Sequence, residues 1–356
     1  MADAKQQVHI VLVHGIGHGA WCWYKLQPLL EAAGHRVTVL DLAASGIDRR
    51  NLEDLHTFID YSQPLLDLMA SIPPEEKVLL VGHSLGGMNL AFAMDMYPVK
   101  IKVAVFLTAN MPDITNKPSY VVEQSVAEIS PEEWLDTEFK PFGSPEENLT
   151  SVSFGPHFIS TKLYPQSPAE LLSGISPEEW LDTEFKPFGS PEENLTSLLF
   201  GPNYISTNLY PESPTESIEV KGDEDWLDAE FKPYGAPEDN LVSAFFGPDF
   251  TANKLYNHCA PEDVALGIML ARPCCMFVHD LSKQTAFTEE GYGSVKRVFI
   301  VCPEDKAISL KFQRWQIENY PPHQVKEIEN SDHMPMLSQP QELCKNLLDI
   351  IVDYYA

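Results

Sequence analysis

Short apolar runs alternate with helical stretches over much of the chain, and this alternation restricts the fold more than any other feature. Five runs rich in β-branched residues, each bounded by polar turns, lie at residues 9–13, 37–40, 78–82, 103–107 and 298–302. The stretch WCWYKLQPLLEAAG, whose Gly34 suits a C-terminal cap, is typical of the helices between them. Continuous apolar strands that alternate with helices predict an α/β fold, with a mostly parallel sheet covered by helices on both faces.

A 46-residue repeat interrupts this pattern in the middle of the chain. The segment ISPEEWLDTEFKPFGSPEENLTS occurs at residues 129–151 and again at 175–197, and a diverged copy lies at 223–243. We interpret each copy as a short helix that begins at SPEE, a turn at KPFGSPEEN, and a second short helix after FGP. Such a period is typical of solenoids. Because the copies fill only residues 130–267, however, we predict an insertion in one α/β domain.

The charge and the cysteines exclude several classes of protein. The net charge of −28, from 24 basic and 52 acidic residues, argues against nucleic acid or an anionic membrane as a partner. Most of the excess negative charge lies in the repeats. We interpret it as a solvated acidic face rather than as an acidic docking surface. Six scattered cysteines without a CxxC pair fit a reducing compartment and indicate no zinc site. The N-terminus has no leader pattern, so we expect a cytoplasmic protein.

The run at 78–82 leads into GHSLGG, and a helical stretch follows at once. This is a G-x-S-x-G motif between a strand and a helix. It predicts that Ser84 is a nucleophile on a sharp turn, because the glycines at 82 and 86 allow strand and helix to approach closely. The next amide, that of Leu85, lies at a helix N-terminus where it can bind an oxyanion.

A serine nucleophile needs a base and an acid that orients it, in the chain order serine, acid, histidine for this fold. Asp305 and His333 each follow a predicted strand and are expected at the same sheet edge as the serine. We interpret the neighbouring carboxylates, Glu304 and Asp332, as solvated loop residues, and Asp280 as a helix N-cap.

The first strand ends in HGIGHGAWCW, and the loop after this strand supplies the second oxyanion amide in an α/β-hydrolase. The N–H of Ile16 is the candidate. We interpret His14 and His18 as residues that fix the loop rather than as a second base or metal ligands.

Longer segments around these residues resemble the plant methylesterase and hydroxynitrile lyase family of α/β-hydrolases. The resemblance covers residues 8–128 and 222–353, through LVHGIGHGAWCWYKLQPLLEAAGHRVTVLDLAASG, LLVGHSLGGMNLAFAMDMYP, GSVKRVFIVCPEDKAI, FQRWQIEN and SDHMPMLSQPQELCKNLLDI. It implies a Ser-Asp-His triad on Ser84, Asp305 and His333, and no metal or organic cofactor.

The resemblance also implies that the repeat is a lid over the pocket. The expected domains are a core at 1–115 and 273–356 and a lid at 116–272, whose repeats span about 130–175, 176–221 and 222–267. We expect the third copy to close the site, with Trp226 and Phe246 as pocket residues. Plain lid packing remains open for both residues, and the first copy is the alternative because it joins the upstream helix directly.

Two positions distinguish ester hydrolysis from cyanohydrin cleavage in this family. The lyases of the family have a lysine after the catalytic histidine and a threonine after the histidine of the first strand. This chain has Met334 and Gly15 there, which favours the hydrolysis of a methyl ester. Asn110, Ser125 and Ala244 replace larger residues of family members and indicate a pocket open to a bulky substrate such as an alkaloid methyl ester.

Three alternatives stay open at this point. They are a hydroxynitrile lyase, a non-catalytic protein that binds a ligand, and an interaction protein with an enlarged acidic lid. The expected partner is a small-molecule ester, and a homodimer is one option for the assembly.

Overall fold

The computed structural model describes residues 7–126, 138–142, 149–153, 226–235 and 241–355. The chain divides into two units, one formed by residues 1–125 with 227–356 and the other by 126–226. The predictions for the second repeat, at 176–221, and for the first helix of the first repeat lie outside the described residues.

The described strands and helices follow the chain in the predicted alternation. The strands are β1 (His9–Val13), β2 (Arg36–Leu40), β3 (Val78–Ser84), β4 (Ile101–Ala109), β5 (Glu138–Phe142), β6 (Leu149–Ser153), β7 (Glu230–Tyr234), β8 (Leu241–Phe245), β9 (Cys274–Cys275), β10 (Arg297–Val301) and β11 (Gln324–Glu327). The helices are α1 (Leu26–Ala32), α2 (Phe58–Ser71), α3 (Gly86–Met96), α4 (Ser119–Val126), α5 (Pro261–Leu270), α6 (Val278–Lys283), α7 (Leu310–Asn319), α8 (Pro335–Ser338) and α9 (Pro340–Tyr355).

Six of these strands form one parallel sheet in the order β11-β10-β4-β3-β1-β2. The predicted α/β class is therefore confirmed, and all five predicted strands are present. The chain runs outward from β1 in both directions, so the order reverses between β1 and β3. Ligands of open α/β sheets bind at such a switch point, beside the carboxyl ends of the strands.

Burial explains why the central strands are continuously apolar. Every residue of β1, β3 and β10 is buried, whereas the edge strands β2 and β11 are partly exposed. A fully buried Val, Leu or Ile contributes about 1.5–3 kcal/mol, so these strands stabilise the sheet strongly. In the edge strand β11, exposure alternates from residue to residue because one side is solvated.

The third repeat contains two strands that the sequence interpretation missed. We expected a turn between two short helices, but β7 and β8 form an antiparallel hairpin, and β8 also pairs with β9. Pro233 fits within β7 because that strand lies at the edge of this sheet. The second short helix is confirmed as a turn at Pro248–Phe250 that continues as a π-helical turn at Thr251–Leu255.

The first repeat contains the same hairpin. Strands β5 and β6 are antiparallel, with Glu138 opposite Ser153. The corresponding pair in the third repeat, 92 residues later, is Glu230 opposite Phe245. The two copies therefore share strand bounds and register within their own units.

Asp280 is not the N-cap of its own helix. It lies inside α6, whose N-cap position is Phe277. Its Oδ2 accepts the main-chain N–H of Phe58 at 2.9 Å, at the first residue of α2. The carboxylate thus satisfies the end of a different helix. The prediction for Gly34 is confirmed, because it follows α1 with φ of 97°.

We predict opposite substitution preferences at two glycines. A Cβ on Gly86 would lie 2.7 Å from the carbonyl oxygen of His14 and 2.9 Å from that of Val13, so Gly86→Ala should cost about 1–3 kcal/mol and Gly86→Asn more. A Cβ on Gly34 would meet no atom within 4 Å, so only the positive φ opposes a side chain there. Asn tolerates that conformation, so Gly34→Asn should be milder than Gly34→Ala. Urea unfolding of the four variants measures the free energy of unfolding of the Ala and Asn variants at each site. If the same substitution were the milder one at both sites, the prediction would be contradicted.

Candidate active site

Ser84 lies on a sharp turn between β3 and α3. Its φ of 55° places the backbone in the left-handed region. A Cβ on Gly82 would lie 2.5 Å from Leu90 Cδ1, and Gly86 is equally crowded on the other side of the serine. Leu85 is the N-cap residue of α3, so its amide lies at the positive end of the helix. The local geometry is that of a nucleophile elbow.

The predicted acid and base are in contact. Nδ1 of His333 lies 2.7 Å from Oδ2 of Asp305, and both side chains are buried. Oδ1 of Asp305 accepts the amides of Ala307 and Ile308 at 2.7 and 2.8 Å. Oδ2 also accepts the hydroxyl of Thr108. The carboxylate is therefore fixed from both sides, with His333 as one of its donors.

Sheet pairing and the contacts of His83 place Ser84 at the same sheet edge as Asp305 and His333. Ser84 pairs with Ala109 of β4, next to the Thr108 that contacts the acid. The adjacent His83 donates from Nε2 to the main-chain carbonyl of His333 at 2.7 Å, and the two rings lie 4.6 Å apart. Burial holds the pKa of His83 well below its usual value, which keeps the ring neutral.

The loop after β1 lies against the elbow. A Cβ on Gly15 would lie 2.7 Å from Ser84 Cβ and 2.9 Å from His83 Nδ1, so the approach requires glycine. Ile16, the predicted second amide donor, is the next residue of this loop.

Both histidines of this loop are held by the backbone. Nδ1 of His14 donates to the carbonyl of Gly15 at 2.7 Å, and its Nε2 accepts the amide of Leu42 at 3.0 Å. Nδ1 of His18 donates to the carbonyl of Ile16 at 2.8 Å. Burial lowers the pKa of His14, and it lowers the pKa of His18 to about 4. Both rings are neutral and fix the loop, as the sequence predicted.

The predicted pocket residues differ in their surroundings. Phe246 is buried, and a Cβ on Gly17 would lie 3.3 Å from its ring, so it packs on the β1 loop. Asn110 is buried, and its main-chain N–H donates to the main-chain carbonyl of Ser84 at 3.0 Å. Met334 is fully buried. Trp226 is partly exposed and is the last residue of the other unit.

Asp332 corrects the sequence interpretation. We expected a solvated loop carboxylate, but this side chain is fully buried. It accepts hydrogen bonds from four donors, which include the amide of His258 and the hydroxyl of Ser338. These donors replace the water that a carboxylate loses on burial. Glu304 is exposed, as expected.

Two further residues of the site were missed. Thr108 contacts Asp305 from the end of β4, and its only sequence signal is its place where a central strand ends. His83 lies inside the G-x-S-x-G motif, where we gave it no role.

Within the described ranges, no three His, Cys, Asp or Glu side chains are grouped as metal ligands. Of the helices in those ranges, none has the length and apolarity that a membrane span requires.

The parallel sheet with a serine elbow at its switch point defines an α/β-hydrolase fold. The alpha/beta hydrolase family model matches residues 10–346. The chain belongs to the alpha/beta hydrolase family.

Plant enzymes are among the similar proteins. Salicylic acid-binding protein 2 from Nicotiana tabacum is 43% identical over 350 residues, covering 98% of this chain and 99% of that protein. Methylesterase 1 from Arabidopsis thaliana is 40% identical over 351 residues, covering 98% of each. The crystal structure of polyneuridine aldehyde esterase, a protein of Rauvolfia serpentina, matches with a TM-score of 0.68 at 39% identity, covering 97% of this chain and 99% of that chain.

We predict that Thr108→Val lowers the kcat for p-nitrophenyl acetate, a general ester substrate, roughly tenfold. Valine keeps the branched shape but removes a hydrogen bond to a charged group, which is worth about 1.5–3 kcal/mol. Thr108→Ser keeps the donor and should remain near the native rate. Equal rates for the two variants would show that the hydroxyl does not act through Asp305.

Proposed function

We propose that this chain, a carboxylic ester hydrolase, cleaves the methyl ester of a small plant metabolite by acyl transfer through Ser84. The observation that carries the proposal is the buried contact between Asp305 and His333 beside the elbow of Ser84. The similarity to methylesterase 1 and to polyneuridine aldehyde esterase supports a methyl ester as the substrate class. The prediction of a cytoplasmic location is retained.

The reaction follows from the roles of these groups. His333 removes the proton of Ser84 as the serine oxygen bonds to the ester carbonyl carbon. The amides of Leu85 and Ile16 bind the oxyanion of the tetrahedral intermediate. When the carbon–oxygen bond to the methoxy group breaks, the imidazolium returns its proton and methanol leaves. Water then attacks the acyl-enzyme with the same base, which releases the acid and restores Ser84.

Asp305 sets the tautomer of the base. Because it accepts the Nδ1 proton, the Nε2 lone pair of His333 is available to the serine. The two backbone amides and Thr108 hold the carboxylate in place, so its negative charge is available to stabilise the imidazolium. No metal or organic cofactor takes part in these steps.

The surroundings of two residues support ester hydrolysis over cyanohydrin cleavage. A side chain at Gly15 would require Ser84 or His83 to shift. Met334 is fully buried, and a lysine ammonium in its place would carry a large desolvation cost. Both positions therefore fit an uncharged site with an open oxyanion hole.

The acyl group is proposed to be bulkier than salicylate. Asn110 is next to the elbow, while Ala244 is buried in β8 and Ser125 lies in α4. Small or polar side chains at these positions leave volume in the pocket. Phe246, which packs against the β1 loop, would form part of the apolar roof of the pocket. An alkaloid methyl ester has the size and apolar surface for such a pocket.

We predict that Ser84→Ala lowers the hydrolysis of p-nitrophenyl acetate and of methyl esters by roughly 10³-fold or more. Ser71→Ala, at an exposed serine, is the matched control and should keep native rates. Rates are measured by absorbance and by methanol release. Activity that survives Ser84→Ala, or is absent from the native protein, would exclude the proposed ester hydrolysis through Ser84.

The same assay tests the substrate size. The native protein should have a higher kcat/KM for bulky methyl esters of the alkaloid type than for methyl salicylate. Turnover of methyl salicylate with no activity on bulky methyl esters would contradict the larger pocket but leave the esterase proposal intact.

We predict that deleting residues 130–221, two whole repeats, leaves the kcat and KM for p-nitrophenyl acetate within about twofold of native. The reason is that the deletion removes whole repeat periods and keeps the third copy, whose residues from 227 onward belong to the same unit as the proposed site. Loss of activity in a folded deletion variant would place the working lid in one of the two deleted copies.

A further inference from the structure

A four-residue segment of the third repeat, residues 256–259, contacts separate loops at the carboxyl edge of the sheet. The hydroxyl of Tyr256 donates to Nε2 of His18 at 2.9 Å. The side-chain amide of Asn257 donates to the main-chain carbonyl of Glu304 at 3.2 Å. The segment therefore joins the loop after β1 to the loop after β10.

The same segment reaches the loop after β11 through Asp332. Oδ2 of this buried carboxylate accepts the amide of His258 at 2.8 Å and the thiol of Cys259 at 3.4 Å. Oδ1 accepts the amide of Met334 at 3.0 Å and the hydroxyl of Ser338 at 2.7 Å. One oxygen is thus bound by its own loop and by α8, and the other by the third repeat.

We propose that the 256–259 segment positions the three loops that carry Ile16, Asp305 and His333, and that Asp332 is the positioning residue through which it acts on the base. This inference rests on the proposed function. It gives the third repeat a part in catalysis that does not depend on contact with the substrate.

The physical argument is the cost of a buried carboxylate with unsatisfied oxygens. Asp332 is fully buried, so each lone pair that loses a donor also lacks water. The loop of His333 and the helix α8 that follows it supply donors to Oδ1, and the third repeat supplies those to Oδ2. The observed loop conformation is therefore favoured when the 256–259 segment is in place. Asp332 directly precedes His333, so a shift of this loop moves the base.

Tyr256 acts on the oxyanion loop in a similar way. Its hydroxyl donates to Nε2 of His18, so the proton of the neutral ring is placed on Nδ1. That proton is donated to the carbonyl of Ile16, whose own amide is the proposed oxyanion donor. The segment therefore fixes a peptide beside the reacting carbonyl.

The test compares Asp332→Asn with Glu329→Gln in the full-length protein. Both variants remove one negative charge from the loop before His333, but Glu329 is exposed. The amide introduced by Asp332→Asn keeps the size of the side chain and cannot accept hydrogen bonds at both ends. We expect the kcat for p-nitrophenyl acetate to fall about tenfold to a hundredfold with little change in KM, because a misplaced catalytic group costs up to about 10²-fold. Glu329→Gln should match the native enzyme.

The thermal midpoint, measured by circular dichroism, separates positioning from stability alone. A folded Asp332→Asn variant with native kcat and a lower midpoint would overturn the proposal. If this variant does not fold, Cys259→Ala and Tyr256→Phe decide instead, because each removes one donor of the segment. Each should lower kcat several-fold, and native kcat in both would overturn the proposal. Activity that survives Ser84→Ala would reject the proposed function, whereas loss in Ser84→Ala with native kcat in Asp332→Asn would reject only this inference.

Discussion

The close approach of α3 to β1 and β3 is the constraint on which the rest of the site depends. It is possible only with glycine at 82 and 86, and it holds Ser84 in a left-handed conformation. Such a conformation costs a non-glycine residue about 1–2 kcal/mol, and the packing of strand and helix has to offset that cost. The serine is held at the strand ends because the backbone has no room to relax.

The neighbouring strand carries the same kind of strain. Thr108, with φ of 36°, is another non-glycine residue in the left-handed region, and it donates to Asp305. Two adjacent strands therefore carry a strained residue at or next to the carboxyl end, one of them the proposed nucleophile and the other a donor to the proposed acid. The buried histidines of this edge, His14, His18 and His83, have lowered pKa values and stay neutral. They act as hydrogen-bond donors and acceptors without adding positive charge beside the base.

The sequence predicted the parts of this site that depend on local chemistry. The strands are continuously apolar because they are buried on both faces, and the elbow needs glycine at fixed spacing, so both have a signal in the chain itself. Asp332 and Asp280 were misinterpreted because their donors, His258 and Phe58, lie far away in sequence. Thr108 had no pattern of its own. The hairpin of the third repeat was missed because Pro and Gly were taken for a turn, whereas Pro233 lies in an edge strand.

The repeat is best understood through the contacts of its third copy. A lid that only covered a pocket would need apolar packing, such as that of Phe246 on the β1 loop. The 256–259 segment also forms hydrogen bonds with loops after three different strands, and one of these bonds satisfies a buried charge. All of those contacts are made by the third copy. A duplication placed before that copy leaves these bonds unchanged, which explains how the chain can carry extra copies without disturbing the arrangement of Asp305 and His333.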